Sequence, residues 1–184
     1  MKSVTKFILS GALATALVAS ASANAFVNNG FESGTLAGWS ASGGFVTSAE
    51  AHTGLYSFAG YSGEAPSQTF APIAGASITE LSFWGKRDGG LFDAFYISYS
   101  DSSNTFGLVN TIGQGSDWTY VNLTSYIDIT KSVTGFQIYG TSPGPAYMDD
   151  FVLETSAVPD QGATVVLLGA SLAGFALLRR RFIR

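Results

Sequence analysis

The middle of this sequence predicts an all-β fold, a β-sandwich of eight or nine short antiparallel strands. Three observations carry that expectation. Residues 26–157 contain no convincing amphipathic helical stretch. They contain many short runs in which apolar and polar residues alternate with a period of two, separated by Gly, Ser, Asn, Asp and Pro. The chain has no cysteine, so its sheets must be held without disulfides.

The runs can be taken in order. Residues 44–49, 55–60 and 68–71 read as short strands. Residues 77–86 set Leu81 and Phe83 against Ser82 and Trp84, and residues 93–100 set Phe95, Ile97 and Tyr99 against Ala94, Tyr96 and Ser98. A strand is expected near 106–112, and residues 118–124 carry Val121 and Leu123 on one parity. Residues 135–140 oppose Phe136 and Ile138 to Gln137 and Tyr139. In residues 147–153, Tyr147, Asp149, Phe151 and Leu153 share one side, with Met148, Asp150 and Val152 on the other. This parity points Asp149 inward and leaves Asp150 a plain surface charge.

The ends of the chain read differently. Residues 1–25 have the form of a cleaved signal peptide: Lys2 and Lys6, an apolar stretch over 7–19, then Ala23-Asn24-Ala25 as the cleavage site, with Ala21-Ser22-Ala23 as second choice. At the other end Val158-Pro159-Asp160-Gln161-Gly162 precedes an uncharged stretch, 163–178, and then Arg179-Arg180-Arg181. As a helix the stretch is about 24 Å long, enough for a thinned bilayer. The arginines place it with the middle domain outside the cytoplasm.

Composition narrows function. The middle domain keeps three cations, Lys86, Arg87 and Lys131, against twelve carboxylates, a net charge of −9. That repels nucleic acid, whose binding needs a basic surface. It suits neutral sugars, divalent cations or basic partners. The single histidine, His52, reads as an ordinary loop residue and offers no zinc cluster.

The tail resembles the PEP-CTERM class of bacterial sorting signals in its VPDSG-CTERM variant, with Gln161 where the variant usually has Ser. The resemblance covers residues 158–184 and rests on Val158, Pro159, Asp160 and Gly162 with the helix and arginines behind them. It implies export, initial anchoring in the inner membrane, an exosortase-type processing enzyme as partner, and residence on the cell surface or in an extracellular matrix.

The domain from 26 to 157 opens with Asn29-Gly30-Phe31-Glu32-Ser33-Gly34 and Gly38-Trp39, continues through Thr53-Gly54-Leu55-Tyr56-Ser57, and closes with Met148-Asp149-Asp150-Phe151-Val152-Leu153. This resembles jelly-roll carbohydrate-binding modules and galactose-binding-like domains. The resemblance implies a structural calcium joining the first and last strands, with Glu32 and Asp149 as its side-chain ligands and main-chain carbonyls near Asn29, Thr53 and Gly54 completing the shell. Otherwise Asp149 accepts hydrogen bonds from a neighbouring loop's amides. The resemblance also implies an aromatic sheet face for polysaccharide.

The outward parity offers Trp84, Lys86, Tyr96, Gln137 and Tyr139, with Trp84, Tyr96, Gln137 and Tyr139 as the sugar contacts. The alternative for these aromatics is cross-strand packing under loops. Trp39 and Trp118 read as packing residues. The leading expectation is a non-catalytic exported protein that binds extracellular polysaccharide. The second is a structural or adhesive component with no sugar ligand. The third is a small glycan-active enzyme, for which no pair of carboxylates is singled out.

Overall fold

The alternating runs form strands because each can bury one parity and leave the other outside. The computed structural model describes residues 24–87, 93–109, 115, 117–140 and 144–156. Among the described residues ten strands follow one another: β1 (Ser40–Ala41), β2 (Phe45–Thr47), β3 (Ser57–Gly60), β4 (Pro66–Ala74), β5 (Ile78–Arg87), β6 (Asp93–Tyr99), β7 (Asn104–Val109), β8 (Thr119–Asn122), β9 (Ser132–Gly140) and β10 (Ala146–Thr155). They form two five-stranded antiparallel sheets, sheet A in the order β1-β4-β9-β6-β7 and sheet B in the order β2-β3-β10-β5-β8. Nine strands fall on the expected runs. The additional one, β1, has only two residues, too few for alternation to show.

The core lies between the sheets. Leu81 and Phe83 of β5, Phe95 and Ile97 of β6, Phe136 and Ile138 of β9, and Met148, Phe151 and Leu153 of β10 are all buried. Phe151 is the centre of an aromatic cluster. Its ring meets those of Phe26, Phe31, Trp39, Phe83 and Phe136 at centroid separations of 4.9 to 6.1 Å. Trp39 is a core residue, as the sequence suggests, and its indole N–H is satisfied by the carbonyl of Asn28 at 3.1 Å.

β10 departs from simple alternation. Asp149 pairs with Trp84 of β5 and Val152 with Ser82, so two residues, Asp150 and Phe151, stand opposite Phe83 alone. This is a β-bulge, and Asp150 sits in it at φ +48°, a left-handed conformation that Asp tolerates better than most residues. The bulge shifts the parity. Met148 faces in before it and Phe151 and Leu153 face in after it, while Asp149 shares the outer side with Trp84. The inward direction expected for Asp149 is therefore corrected.

The bulge leaves main-chain groups without ladder partners, and the N-terminal segment satisfies them. Phe151 donates its N–H to the Asn29 carbonyl at 3.0 Å, and its own carbonyl accepts from the side chains of Asn24 (2.7 Å) and Asn29 (3.1 Å). Asn24 Oδ1 accepts the N–H of Leu153 at 3.0 Å, and Ala25 donates to the Leu153 carbonyl at 2.9 Å. The folded unit thus includes Asn24 and Ala25, which the first-choice cleavage site would remove. The rest of the expected signal, residues 1–23, lies outside the described residues, as do Val158, Pro159, Asp160, Gly162 and the apolar stretch 163–178. Among the described residues no helix is long and apolar enough to cross a membrane.

Retention of Asn24 favours cleavage after Ala23. The exported protein should begin at Asn24 by mass spectrometry, and a form beginning at Phe26 would refute this. Asn24→Ala should lower stability in urea by about 1–3 kcal/mol, the cost of leaving partly buried main-chain groups unpaired.

Candidate functional site

Two places in the fold gather the residues singled out by the sequence. The first is a clasp on the outer side of sheet B, where the loop before β3 meets the β10 bulge. Asp149 is fully buried beneath this loop. Its Oδ2 accepts the N–H groups of His52 (2.8 Å) and Thr53 (3.3 Å), and its Oδ1 accepts that of Asp150 (2.8 Å). Glu32 holds the next stretch of the loop in the same way: Oε1 accepts from Leu55 and Tyr56, and Oε2 from Leu55, at 3.0 to 3.1 Å. Gly54, at φ +65°, lies so close to Glu32 that a Cβ there would collide with its carboxyl group.

Asp150 is no plain surface charge. It accepts from Thr53 Oγ1 at 2.8 and 2.9 Å, and its Oδ2 lies 2.7 Å from His52 Nδ1. Nothing in the alternation could reveal this, because the left-handed turn at Asp150 is what re-aims the side chain.

Gly30 lies between the side chains of Asp150, Asp149 and Glu32, the last two being the proposed calcium ligands. A Cβ on Gly30 would lie 3.4 Å from Asp149 Oδ1 and 3.8 Å from Glu32 Cγ. Calcium wants six to eight oxygens. Among the described residues no three acidic or histidine side chains are grouped to hold a metal ion, and all four oxygens of the pair already accept main-chain N–H groups. Side chains alone do not complete a calcium shell here. Main-chain carbonyls would have to supply most of it.

The loop also covers the outer face of sheet B. The imidazole of His52 stacks on Trp84 with centroids 3.9 Å apart and planes 13° from parallel, and Trp118 meets its edge at 5.7 Å. Glu50 pairs with Lys86 at 2.8 Å. Trp84 is outward by register, as the sequence indicates, but one ring face is occupied by His52. His52 is consequently a packing residue rather than an ordinary loop histidine.

The second place is the outer face of sheet A. Here the ladder registers place Ser40, Ser67, Gln137, Tyr96 and Phe106 side by side across all five strands. Tyr139, paired with Ala94, stands in the next row beside Leu108. Tyr96 lies 5.1 Å from Phe106 and 6.0 Å from Tyr139 by ring centroids. A hydrogen bond with Tyr96 raises the pKa of the Tyr139 hydroxyl. No residue of these rows is ionised at neutral pH. Of the four expected sugar contacts, the fold brings Tyr96, Gln137 and Tyr139 together and puts Trp84 on the other sheet. Alternation gives which side of a strand a residue takes, not which sheet. Phe106 and Ser67 complete the row, and only the strand order reveals them.

Burial pushes the Asp149 carboxyl up to about 6, against the amide hydrogen bonds that favour its charged form, with Asp150 adding repulsion. The fold then holds this proton more tightly than the unfolded chain does. Its contribution to stability is fullest below pH ~4 and is lost as pH rises through about 6. Urea melts across that window should show the loss in the parent protein, and Asp149→Asn should remove that component of the pH dependence. An unchanged slope in the variant would count against the raised carboxyl.

Residues 157–182 match the VPDSG-CTERM motif model. No curated protein matches the chain. Among solved structures, TmCBM61 in complex with β-1,4-galactotriose superposes with a TM-score of 0.56 and 22% identity, covering 73% of this chain and 99% of that one. The C-terminal family 22 carbohydrate-binding module of Clostridium thermocellum Xyn10B gives 0.54 and 12%, covering 73% and 97%. The enzymatically active domain of bacteriophage CBA120 tailspike protein 4 gives 0.55 and 13%, covering 72% of this chain but 21% of that one. The chain therefore ends in a VPDSG-CTERM motif, as PEP-CTERM-class proteins do, and carries ahead of it a jelly-roll domain with the fold of carbohydrate-binding modules.

Proposed function

We propose that this is an exported, non-catalytic protein of the cell surface or extracellular matrix, sorted through its tail by an exosortase-type enzyme, whose sheet A face binds a neutral polysaccharide. The tail motif supports export and sorting. One observation carries the ligand reading: the uncharged row Ser40, Ser67, Gln137, Tyr96 and Phe106, flanked by Tyr139, on the outer face of sheet A, where the rings of Tyr96, Phe106 and Tyr139 lie against one another. Five strands about 4.8 Å apart make this row about 19 Å long, enough for several pyranose rings in line. Aromatic rings offer flat apolar faces to sugar rings, and the Gln and Ser side chains offer hydrogen bonds to hydroxyls.

Binding to a glycan array by the exported protein tests this. Tyr96→Ala and Tyr139→Ala should each weaken binding at least about tenfold while leaving the melting temperature nearly unchanged, since both side chains stand outside the core. Trp84→Ala should act chiefly on stability, lowering the melting temperature by unseating His52. Failure of the unsubstituted protein to bind any glycan would favour the structural or adhesive reading.

Calcium at the clasp is a proposal of the same kind. It would use the remaining lone pairs of Glu32 and Asp149 with main-chain carbonyls. The protein should melt at a higher temperature in millimolar calcium than in chelator, by an increment that Asp149→Ala abolishes. Equal melting in both would leave the main-chain amides as the clasp's partners.

A further inference from the structure

The edges of the two sheets leave an open groove of about 240 Å³ between β7 and β8. Val109, Val121 and Leu123 form its apolar floor and are nearly inaccessible. Its walls are different. Leu108, Tyr120 and Tyr126 line it while remaining 40 to 44% exposed. Partly exposed aromatic rings lining a concavity suit a ligand surface, and here the Tyr120 ring is also backed by Trp84 at 5.5 Å.

The walls are also held in place. Tyr126 meets the buried ring of Phe95 edge-on, with centroids 5.0 Å apart, and Gly107 makes room for that ring because a Cβ there would collide with it. The Tyr120 hydroxyl donates to Glu80 Oε1 at 2.7 Å and accepts from Asn122 Nδ2 at 3.4 Å. One wall of the groove thus carries a hydroxyl and an amide, those of Tyr120 and Asn122, anchored to Glu80 outside the lining, and the rest is ring face and aliphatic surface. Rings beside fixed donors and acceptors suit a saccharide, which is apolar on its faces and hydroxylated around its rim. They suit a purely apolar peptide less well, since it would leave the polar wall unpaired.

Leu108 supplies the connection. It belongs to the groove and also to the outer face of sheet A, in the row with Ala94 and Tyr139. We propose that the groove between β7 and β8 is an additional saccharide subsite, reached by a neutral glycan that lies across sheet A and continues over the β7 edge, with Tyr126 and Tyr120 as its stacking rings and Asn122 as its polar contact. This rests on the sheet A reading and lengthens the site beyond the sheet.

The test is calorimetric titration of the full-length protein with β-1,4-linked xylo-, gluco- and galacto-oligosaccharides, using the trisaccharide and hexasaccharide of each. The hexasaccharide of the bound series should bind more tightly than the trisaccharide. Tyr126→Ala should weaken the hexasaccharide at least about tenfold and erase its advantage, whereas Tyr126→Phe, which keeps the ring, should bind like the parent. Should Tyr126→Ala lower the melting temperature, Tyr120→Ala carries the same expectation. If Tyr96→Ala abolishes binding and neither groove variant changes it, the subsite is overturned and the sheet A reading stands. If the parent protein binds none of the six oligosaccharides, both are overturned for β-1,4-linked neutral glycans.

Discussion

The bulge in β10 is the constraint on which the rest of this domain depends. A strand that kept strict alternation from Met148 to Leu153 could not place Met148, Phe151 and Leu153 all inside. The extra residue at Asp150, held left-handed at φ +48°, allows it. Phe151 then sits at the centre of five aromatic contacts, and Asp149 turns to the opposite side of the sheet. The broken ladder at the bulge draws in Asn24 and Asn29, and Asp149 draws in the amides of His52 and Thr53. One inserted residue thus ties together the N-terminal segment, the loop before β3 and the last strand, which are far apart in sequence.

That arrangement also takes up much of one face of the sandwich with internal contacts. Closing the loop over Asp149 brings His52 onto Trp84 and Glu50 onto Lys86. The aromatic surface of sheet B is thereby largely spent on internal contacts. On sheet A the corresponding outward residues, Tyr96, Phe106 and Tyr139, contact only one another among the ring pairs of the described residues. The buried carboxylate and the packed aromatic surface of sheet B therefore follow from the same loop, while the row of Tyr96, Phe106 and Gln137 lies on the other sheet.

Much of the fold is legible in the sequence because period-two alternation reports burial directly. Leu81 and Phe83, Phe95 and Ile97, and Phe136 and Ile138 all lie inside as the alternation indicates. The outward parity of Trp84, Tyr96, Gln137 and Tyr139 is equally legible. What alternation lacks is any record of strand order, so it cannot separate Trp84 from the other three. It also fails at a bulge, where parity changes without a change in residue type, and it misplaces Asp149 and Asp150 for that reason. His52 carries no signal at all. Its role depends on a loop whose path is set by hydrogen bonds to two carboxylates some 97 residues away in sequence.

For the proposed sheet A site, charge would set selectivity at longer range. The middle domain's three cations are not available to an anionic polymer: Lys86 is paired with Glu50, Lys131 with Asp101 at 3.0 Å, and Arg87 is 2% exposed. The surface field is consequently set by the carboxylates. A polymer bearing uronate, sulfate or phosphate groups would be repelled on approach and would find no cation on the sheet A row to offset the loss. Tyrosine and glutamine side chains can meet hydroxyl-rich rings without charge, so the acidic composition of the domain accords with the neutral glycan proposed for this face.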